Sequence, residues 1–365
     1  MVSREKISGW QLAVLFQTFL IGSAIINIPQ PLIGVAKNAA WMSLLLASGV
    51  SFIALTCILY LHRKYPKLTF IEQTRKTVGN RIAVIIIVPF LSLPLILLPN
   101  MIVDIGSFFT NTMMIETPGY VFNAFILLTA AMTVRAGIEV MARMFTLLAF
   151  IMFVFVIIVL LLLIPHYHLE YLSPVLPNGF KPVLHGGYLA TSFPFADVTL
   201  LSMILPFIDE ESQGKIDKLM YLFLSITSIT LIIVTICTTM VLGPLAGELK
   251  FSVFQLARLI QVTEGIERIE SIIGIVLITS SYMKVTLVLF VLALGISQLL
   301  KLQNDQIMIL PITWITLLLS LTMYENRAEF IENVSVIRPL MSFAVAIVPL
   351  VFITLLTLIK NNDNG

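Results

Sequence analysis

Charge is scarce in this sequence. Acidic and basic residues together make up 12% of its 365 positions, about half of what a soluble domain carries. That shortage excludes an ordinary water-soluble globule. Cysteine is scarcer: there are two, Cys57 and Cys237, far apart and each in an apolar run. A disulfide framework is excluded, and both read as packing residues. The four histidines are His62, His166, His168 and His185. The His166–His168 pair lacks a third ligand, so no metal is expected. There is no phosphate-binding glycine loop, no G-x-S-x-G and no H-E-x-x-H. Gly186-Gly187 precedes an apolar run and reads as a hinge, not a nucleotide cradle. Neither catalysis nor a cofactor is expected. A formal charge of +2 is too small to suggest nucleic acid. The start "MVSREKISGW" has no signal-peptide cleavage pattern, so the first apolar run is expected to be retained.

What is abundant is hydrophobic sequence, at 58%, with a mean hydropathy of +1.01. At about 20 apolar residues per crossing, the chain reads as an all-α polytopic membrane protein of ten spans. They cover roughly residues 10–35, 40–61, 82–108, 119–135, 138–164, 187–208, 217–243, 270–298, 305–324 and 336–359. The whole of 1–365 is expected to be one transmembrane domain. Between spans four and five only Arg135–Arg143 is left as a turn. With the N-terminus inside, inner segments hold twice as many Lys and Arg as outer ones, which places both termini in the cytoplasm. The longer outer segments are residues 165–186 and 244–269. In the second, Ser252 is expected to cap a short amphipathic helix.

Two spans carry helix-breaking chemistry at matched positions. Span one contains "FLIGSAIINIPQPL", with Gly22 and Ser23 about twelve residues in, near mid-membrane at 1.5 Å per residue. Glycine is the cheapest residue to place in a non-helical conformation. Pro29 removes a backbone donor and clashes with the Ile25 carbonyl. Five spans later, "GGYLATSFPFADVTLLSMILP" puts Thr191, Ser192, Phe193 and Pro194 mid-span, followed by Asp197. Paired breaks in two halves point to a leucine-transporter-like 5+5 inverted repeat with broken helices 1 and 6. Repeat one runs over about 7–164 and repeat two over about 187–360. Peptide groups freed at the breaks must line a polar cavity. A half-helix N-terminus suits a carboxylate and a C-terminus an ammonium, so the breaks suit a zwitterion.

The ten spans with these breaks resemble the amino acid–polyamine–organocation superfamily. "GIERIESIIGIVLITSSYMKVTL" (residues 265–287), "IGSAIINIP" and "FPFADVTLLSMILPFID" resemble segments of the spore germination permease family. That resemblance implies the B subunit of a germinant receptor in the inner spore membrane. Such a subunit would act with A and C subunits, sit in membrane lipid and sense a small nutrient, an amino acid being the expected one. It also implies a ligand site built from Gly22, Ser23 and Ala24 on span one and Thr191, Ser192, Phe193 and Pro194 on span six. Leu97 on span three and Tyr282 and Met283 on span eight complete its walls.

Charges inside the apolar runs add a second expectation. Lys284 lies fourteen residues after Glu270, about 21 Å along span eight. A lysine at such depth costs at least about 2.5–3.5 kcal/mol. Two readings stand: an internal cation serving as an ion surrogate or protonation switch, and a lysine that snorkels to the surface. Asp197 reads either as a helix cap after Pro194 or as a proton-coupling acid, with pairing to Lys284 open. Asp104 is placed near water at the outer end of span three. Glu267, Arg268 and Glu270 flank the mouth of span eight. Three functions follow: a germinant sensor, a proton-coupled amino-acid permease using the same pocket, and a membrane scaffold.

Overall fold

The first helix begins where the sequence supplies a reciprocal cap. Gln11 N–H donates to Ser8 Oγ at 3.2 Å, and Ser8 N–H donates to Gln11 Oε1 at 3.0 Å, fixing the start of α1 (Gly9–Ile21). Just before it, Ile7 N–H donates to Phe207 O at 2.9 Å and Asp209 N–H to Ile7 O at 3.0 Å. The start of span one is thereby tied to the end of span six. The computed structural model describes residues 5–176, 178–260 and 270–362. Glu267 and Arg268, read above as flanking span eight, lie outside the described residues, as does Ile269 beside them.

After α1 come α2 (Ala24–Asn27), α3 (Pro29–Ala36), α4 (Ala40–Lys64), α5 (Phe70–Val78), α6 (Asn80–Thr112), α7 (Gly119–Arg135), α8 (Ile138–Leu162) and α9 (Lys181–Ser192). A 3-10 segment, Phe195–Met203, continues α9. The second half holds α10 (Ile216–Leu242), α11 (Ser252–Arg258), α12 (Glu270–Leu299), α13 (Ile309–Thr322), α14 (Arg327–Glu332), α15 (Arg338–Met341) and α16 (Val348–Asn362). Among the described residues, eight helical segments are long and apolar enough to cross a membrane. They correspond to expected spans one to three, five and seven to ten. The fourth is the shorter α7, of 17 residues, and the sixth is the broken α9 with its 3-10 continuation. The chain is an integral membrane protein.

Helices α1 and α12 are buried nearly all round, which marks them as the centre of the bundle. Large apolar side chains such as Ile85 and Phe150 point outward, at 72% and 68% exposed, as lipid contact requires. The three prolines of α6 do not end it; it runs as one helix of 33 residues, its backbone shielded by neighbours.

Local differences from the sequence reading have local causes. The turn between α7 and α8 is only Ala136-Gly137, because Gly137 takes φ +96° and lets the chain reverse at once. Arg143 therefore lies inside α8 and pairs with Glu139 one turn earlier. Ser252 does not cap α11. The cap position belongs to Phe251, in the left-handed region at φ 55°, and Ser252 Oγ is buried without a hydrogen-bond partner. Phe251 and Phe254 instead pack edge-on against Phe108 of α6, at 4.9 and 5.3 Å between ring centres. The segment after span two contains α5, which the span count passes over. Its Thr69–Glu72 cap is reciprocal, and the T-x-x-E spacing is visible in the sequence.

The broken sixth span is held against α4 by close approach. Ser43 Oγ donates to Val183 O at 3.0 Å and Ser51 Oγ to Phe195 O at 3.2 Å. A side chain at Gly186 would press on the Ser43 side chain, whose Cβ lies 3.0 Å from the added Cβ position. Gly186→Leu is expected to wedge α9 off α4 and cost about 1–3 kcal/mol, the usual range for overpacking. A lower unfolding temperature in detergent micelles checks this.

Candidate functional site

The site grows from the two interruptions. Gly22 ends α1 at φ 27°, ψ −130°, a conformation that an L side chain resists. Gly22 N–H still reaches Thr18 O at 2.9 Å, and the helical ladder restarts at Ser23 O, which accepts from Asn27 N–H at 3.1 Å. In the other half, Phe193 leaves α9 with extended backbone, φ −143° and ψ 120°. The chain resumes as 3-10 helix at Phe195, where Asp197 N–H donates to Pro194 O at 3.1 Å. Both interruptions fall where glycine, serine and proline announced them.

Between them sits an ionic cluster. Lys284, on α12, is fully buried, and its ammonium donates to Asp197 Oδ2 at 2.6 Å. Arg338, the first residue of α15, donates to Asp197 Oδ1 at 3.5 Å and is 7% exposed. Lys284 does not snorkel, and the Asp197 carboxylate turns to these two cations instead of capping its own helix. The Phe193 ring lies 4.2 Å from Lys284 Nζ and 4.6 Å from Arg338 Cζ, so its π-face adds cation contact at the break. Gly22 completes the ring: a Cβ there would sit 2.9 Å from Lys284 Cδ. One carboxylate for two cations leaves the ionised cluster with a net positive charge.

The cluster opens into a cavity of about 600 Å³ bordered by Ser23, Phe193 and Arg338. Asp104 lies on its wall, not in bulk water, and accepts from the Asn27 amide. Asn100, one turn back on α6, donates to Asn333 Oδ1 at 3.3 Å and accepts from the Tyr324 hydroxyl. Lys250 donates to Ser107 Oγ at 2.6 Å on the same wall. A second cavity, about 750 Å³, includes Glu5, Glu72, Phe207 and Phe290. Among the described residues the two share no lining residue. Lys284 lies six residues before Phe290 on α12, about 9 Å along the helix.

The residues expected at the site divide into groups. Gly22, Phe193, Asp197 and Lys284 come together in the cluster, and Ser23 and Phe193 reach the cavity. Ala24, Leu97, Thr191, Ser192 and Met283 are buried but do not line it. Pro194 sits in the break behind Phe193. Tyr282 points elsewhere: its hydroxyl meets Thr133 Oγ1 at 2.5 Å, and its ring packs edge-on against Phe145. Arg338 and Asn27 are not singled out as site residues in the sequence, and Asp104 is read there only as a residue near water. Arg338 had a legible signal, an arginine two residues inside a predicted span, which by default marks a functional position.

Lys250 lies beyond the end of α10, outside the spans, and permits a pH prediction. Burial pushes its ammonium down to about 8 from an ordinary 10.5; Arg327 pushes the same way and Asp104 opposes them. Between these values the folded protein binds fewer protons than the unfolded chain, so stability rises with pH across that window. Lys250→Met is expected to flatten this rise. A wild-type unfolding temperature that falls relative to Lys250→Met between the two pH values would contradict it.

The chain has recognisable relatives. The profile of a family described as spore germination protein matches residues 6–329. "Spore germination protein KB" of Bacillus subtilis (strain 168) is 26% identical over 340 residues, covering 91% of this chain and 89% of that protein. "Spore germination protein YndE" of the same organism is 23% identical over 307 residues, covering 81% and 82%. Among solved structures, MhsT in complex with L-phenylalanine superposes with TM-score 0.73 at 13% identity, covering 97% of this chain and 88% of that one. MHP1, a nucleobase-cation-symport-1 family transporter with bromovinylhydantoin bound, gives 0.70 at 12%, covering 93% and 76%. A Na+-coupled sialic acid symporter in its substrate-bound outward-open state gives 0.69 at 10%, covering 92% and 77%. At these identities the likeness shows the fold alone, a leucine-transporter-type helical bundle.

Proposed function

This chain belongs to the spore germination protein family, and from that premise we propose that it is the nutrient-sensing subunit of a germinant receptor. Family and fold together support a germination-receptor or transporter-like role. The finer reading is a small nutrient bound between the broken helices, in a cavity that ends on the Asp197–Lys284–Arg338 cluster. On this reading the halves 7–164 and 187–360 act as inverted repeats of one transmembrane domain. The protein works in the inner spore membrane with A and C subunits, both termini cytoplasmic.

The observation that carries the proposal is the buried ionic cluster itself. Burying three charged groups is costly unless each is paired, and here they join the broken sixth span, α12 and α15. Ligand occupancy beside the cluster then bears on three separate elements at once, which is what a sensor requires. The alternative, a proton-coupled amino-acid permease, draws support from the second cavity, which approaches the same cluster along α12 without joining the first. Labelled amino-acid uptake by proteoliposomes containing this chain alone separates the two. A sensor gives saturable binding without accumulation. Accumulation that collapses with the proton gradient would replace the sensor by the permease.

A further inference from the structure

We propose that Lys64 and Lys76 bind the phosphate of an anionic phospholipid, in a corner where the ends of α4, α5 and α16 meet. Neither lysine lines either cavity, and the site stands apart from the ligand reading above.

The stretch "HRKYPK", residues 62–67, closes span two with a dense run of positive charge. Part of that charge is used inside the protein. Arg63 meets Asp217 at 3.5 Å, and Lys67 meets Glu210 at 3.7 Å, a carboxylate that Lys6 shares at 3.6 Å. Lys64 turns elsewhere, and its ammonium donates to Thr357 O of α16 at 3.0 Å. Among the described residues neither Lys64 nor Lys76 forms an ion pair.

Three helices end at this corner. Lys64 is the last residue of α4, Lys76 lies in the last turn of α5, and Lys360 in the last turn of α16. Lys360 donates to Thr77 O at 2.5 Å, and the Thr77 and Thr357 hydroxyls are 3.3 Å apart. These bonds tie the three ends together. The ammoniums of Lys64 and Lys76 both lie over the Tyr65 ring, at 5.8 and 4.5 Å from its centre.

The corner holds more positive charge than it neutralises. A helix C-terminus carries about half a negative charge. Lys360 answers the end of α5. The ends of α4 and α16 then offset about half of the two full charges on Lys64 and Lys76. Glu72, one turn before Lys76, turns its carboxylate to the Thr69 cap at the other end of α5, 2.9 Å from Thr69 N–H. Donors are left over as well. An ammonium has three; Lys64 gives one to Thr357, and among the described residues Lys76 gives none. A phosphate supplies both the charge and the acceptors.

The surroundings select a lipid over a soluble anion. On α16, Phe352, Leu355 and Ile359 form an exposed apolar stripe that ends one residue before Lys360. Ile82 and Ile85 expose more apolar surface at the start of α6, just after α5. Acyl chains need such a surface beside their headgroup. A tyrosine immediately after a span sits at headgroup depth, and basic pockets between spans take anionic headgroups.

The full chain in detergent micelles is titrated with dioleoyl phosphatidylglycerol, and bound lipid is counted by native mass spectrometry. Dioleoyl phosphatidylcholine and inorganic phosphate serve as competitors. The expected result is one phosphatidylglycerol per chain that neither competitor displaces. Lys64→Gln/Lys76→Gln should weaken it by about 25-fold, about fivefold for each lysine near a membrane surface. Lys76→Gln alone removes no hydrogen bond, so it keeps the test open if the pair fails to fold; it should weaken the lipid by about fivefold. Lys215→Gln/Lys218→Gln takes the same charge from the exposed start of α10 and should leave binding unchanged. No retained phosphatidylglycerol, equal affinity in wild type and Lys76→Gln, or an equal loss in the Lys215/Lys218 variant would overturn the site. Displacement by phosphatidylcholine would overturn the anionic headgroup, and displacement by inorganic phosphate would replace the lipid by free phosphate.

Discussion

Asp197→Asn is expected to be the most damaging single substitution in the interior, costing about 3–5 kcal/mol and abolishing the germinant response. The side chain keeps its shape and loses its charge. Lys284 and Arg338 are then two buried cations with no anion between them. Lys284→Met removes one cation and leaves Asp197 with Arg338, a neutral pair. It should impair function and yet destabilise less than Asp197→Asn. The double variant Asp197→Asn/Lys284→Met should recover part of the stability lost in Asp197→Asn, because the cation–cation repulsion goes with the lysine. Apparent unfolding temperatures of the four proteins in micelles complete a double-mutant cycle that isolates this coupling. Strict additivity would mean that the two groups do not share the cluster. A fully active Lys284→Met protein would remove the lysine from the mechanism.

Gly22→Leu should abolish the response with the protein level in spores unchanged. Two costs coincide at this position. The backbone sits at φ 27°, ψ −130°, which for a residue with a Cβ costs of order 1–3 kcal/mol. The new Cβ would also lie 2.9 Å from Lys284 Cδ and 3.2 Å from Lys284 Cβ, a separation that forces the lysine to move. The effect therefore passes through the lysine: the substitution pushes Lys284 off Asp197 before it fills any open space. Gly22→Ala carries the same backbone cost and a smaller overlap, and should retain a weakened response. Comparing the two in spores, with ligand-induced stabilisation measured in parallel, checks the order. Equal ligand affinity in wild type and Gly22→Leu would remove the first break from the site.

The parts legible in the sequence were those with a local signature. Apolar run length gave the spans, and Gly22-Ser23 and Ser192-Phe193-Pro194 gave the breaks, because glycine and proline act on their own backbone. Lys284 was conspicuous as a charge deep in an apolar run. The partners of these groups were harder to find. Asp197 and Lys284 are 87 residues apart, and no periodicity links them. Arg338 falls two residues into the last expected span, 336–359. It sits at the junction between a π-helical stretch, Asn333–Ile337, and α15, with another, Ser342–Ile347, just beyond. Each π turn changes the face on which later residues lie, so helical spacing could not say where this arginine points. Asp104 was placed by depth alone, and depth does not report which way a helix is rotated. Tyr282 failed for the same reason: one step along α12 from Met283, it faces α7 and α8 instead of the cavity.

A single cryo-EM reconstruction of the full chain in nanodiscs, with the amino acid it binds most tightly added, tests the account most directly. The expected map shows the first helix ending at Gly22 and the ninth at Ser192, the Asp197 carboxylate bridging Lys284 and Arg338, and added density against Arg338 and Phe193. Unbroken helices through Gly22 and Phe193, or ligand density far from Arg338, would contradict it.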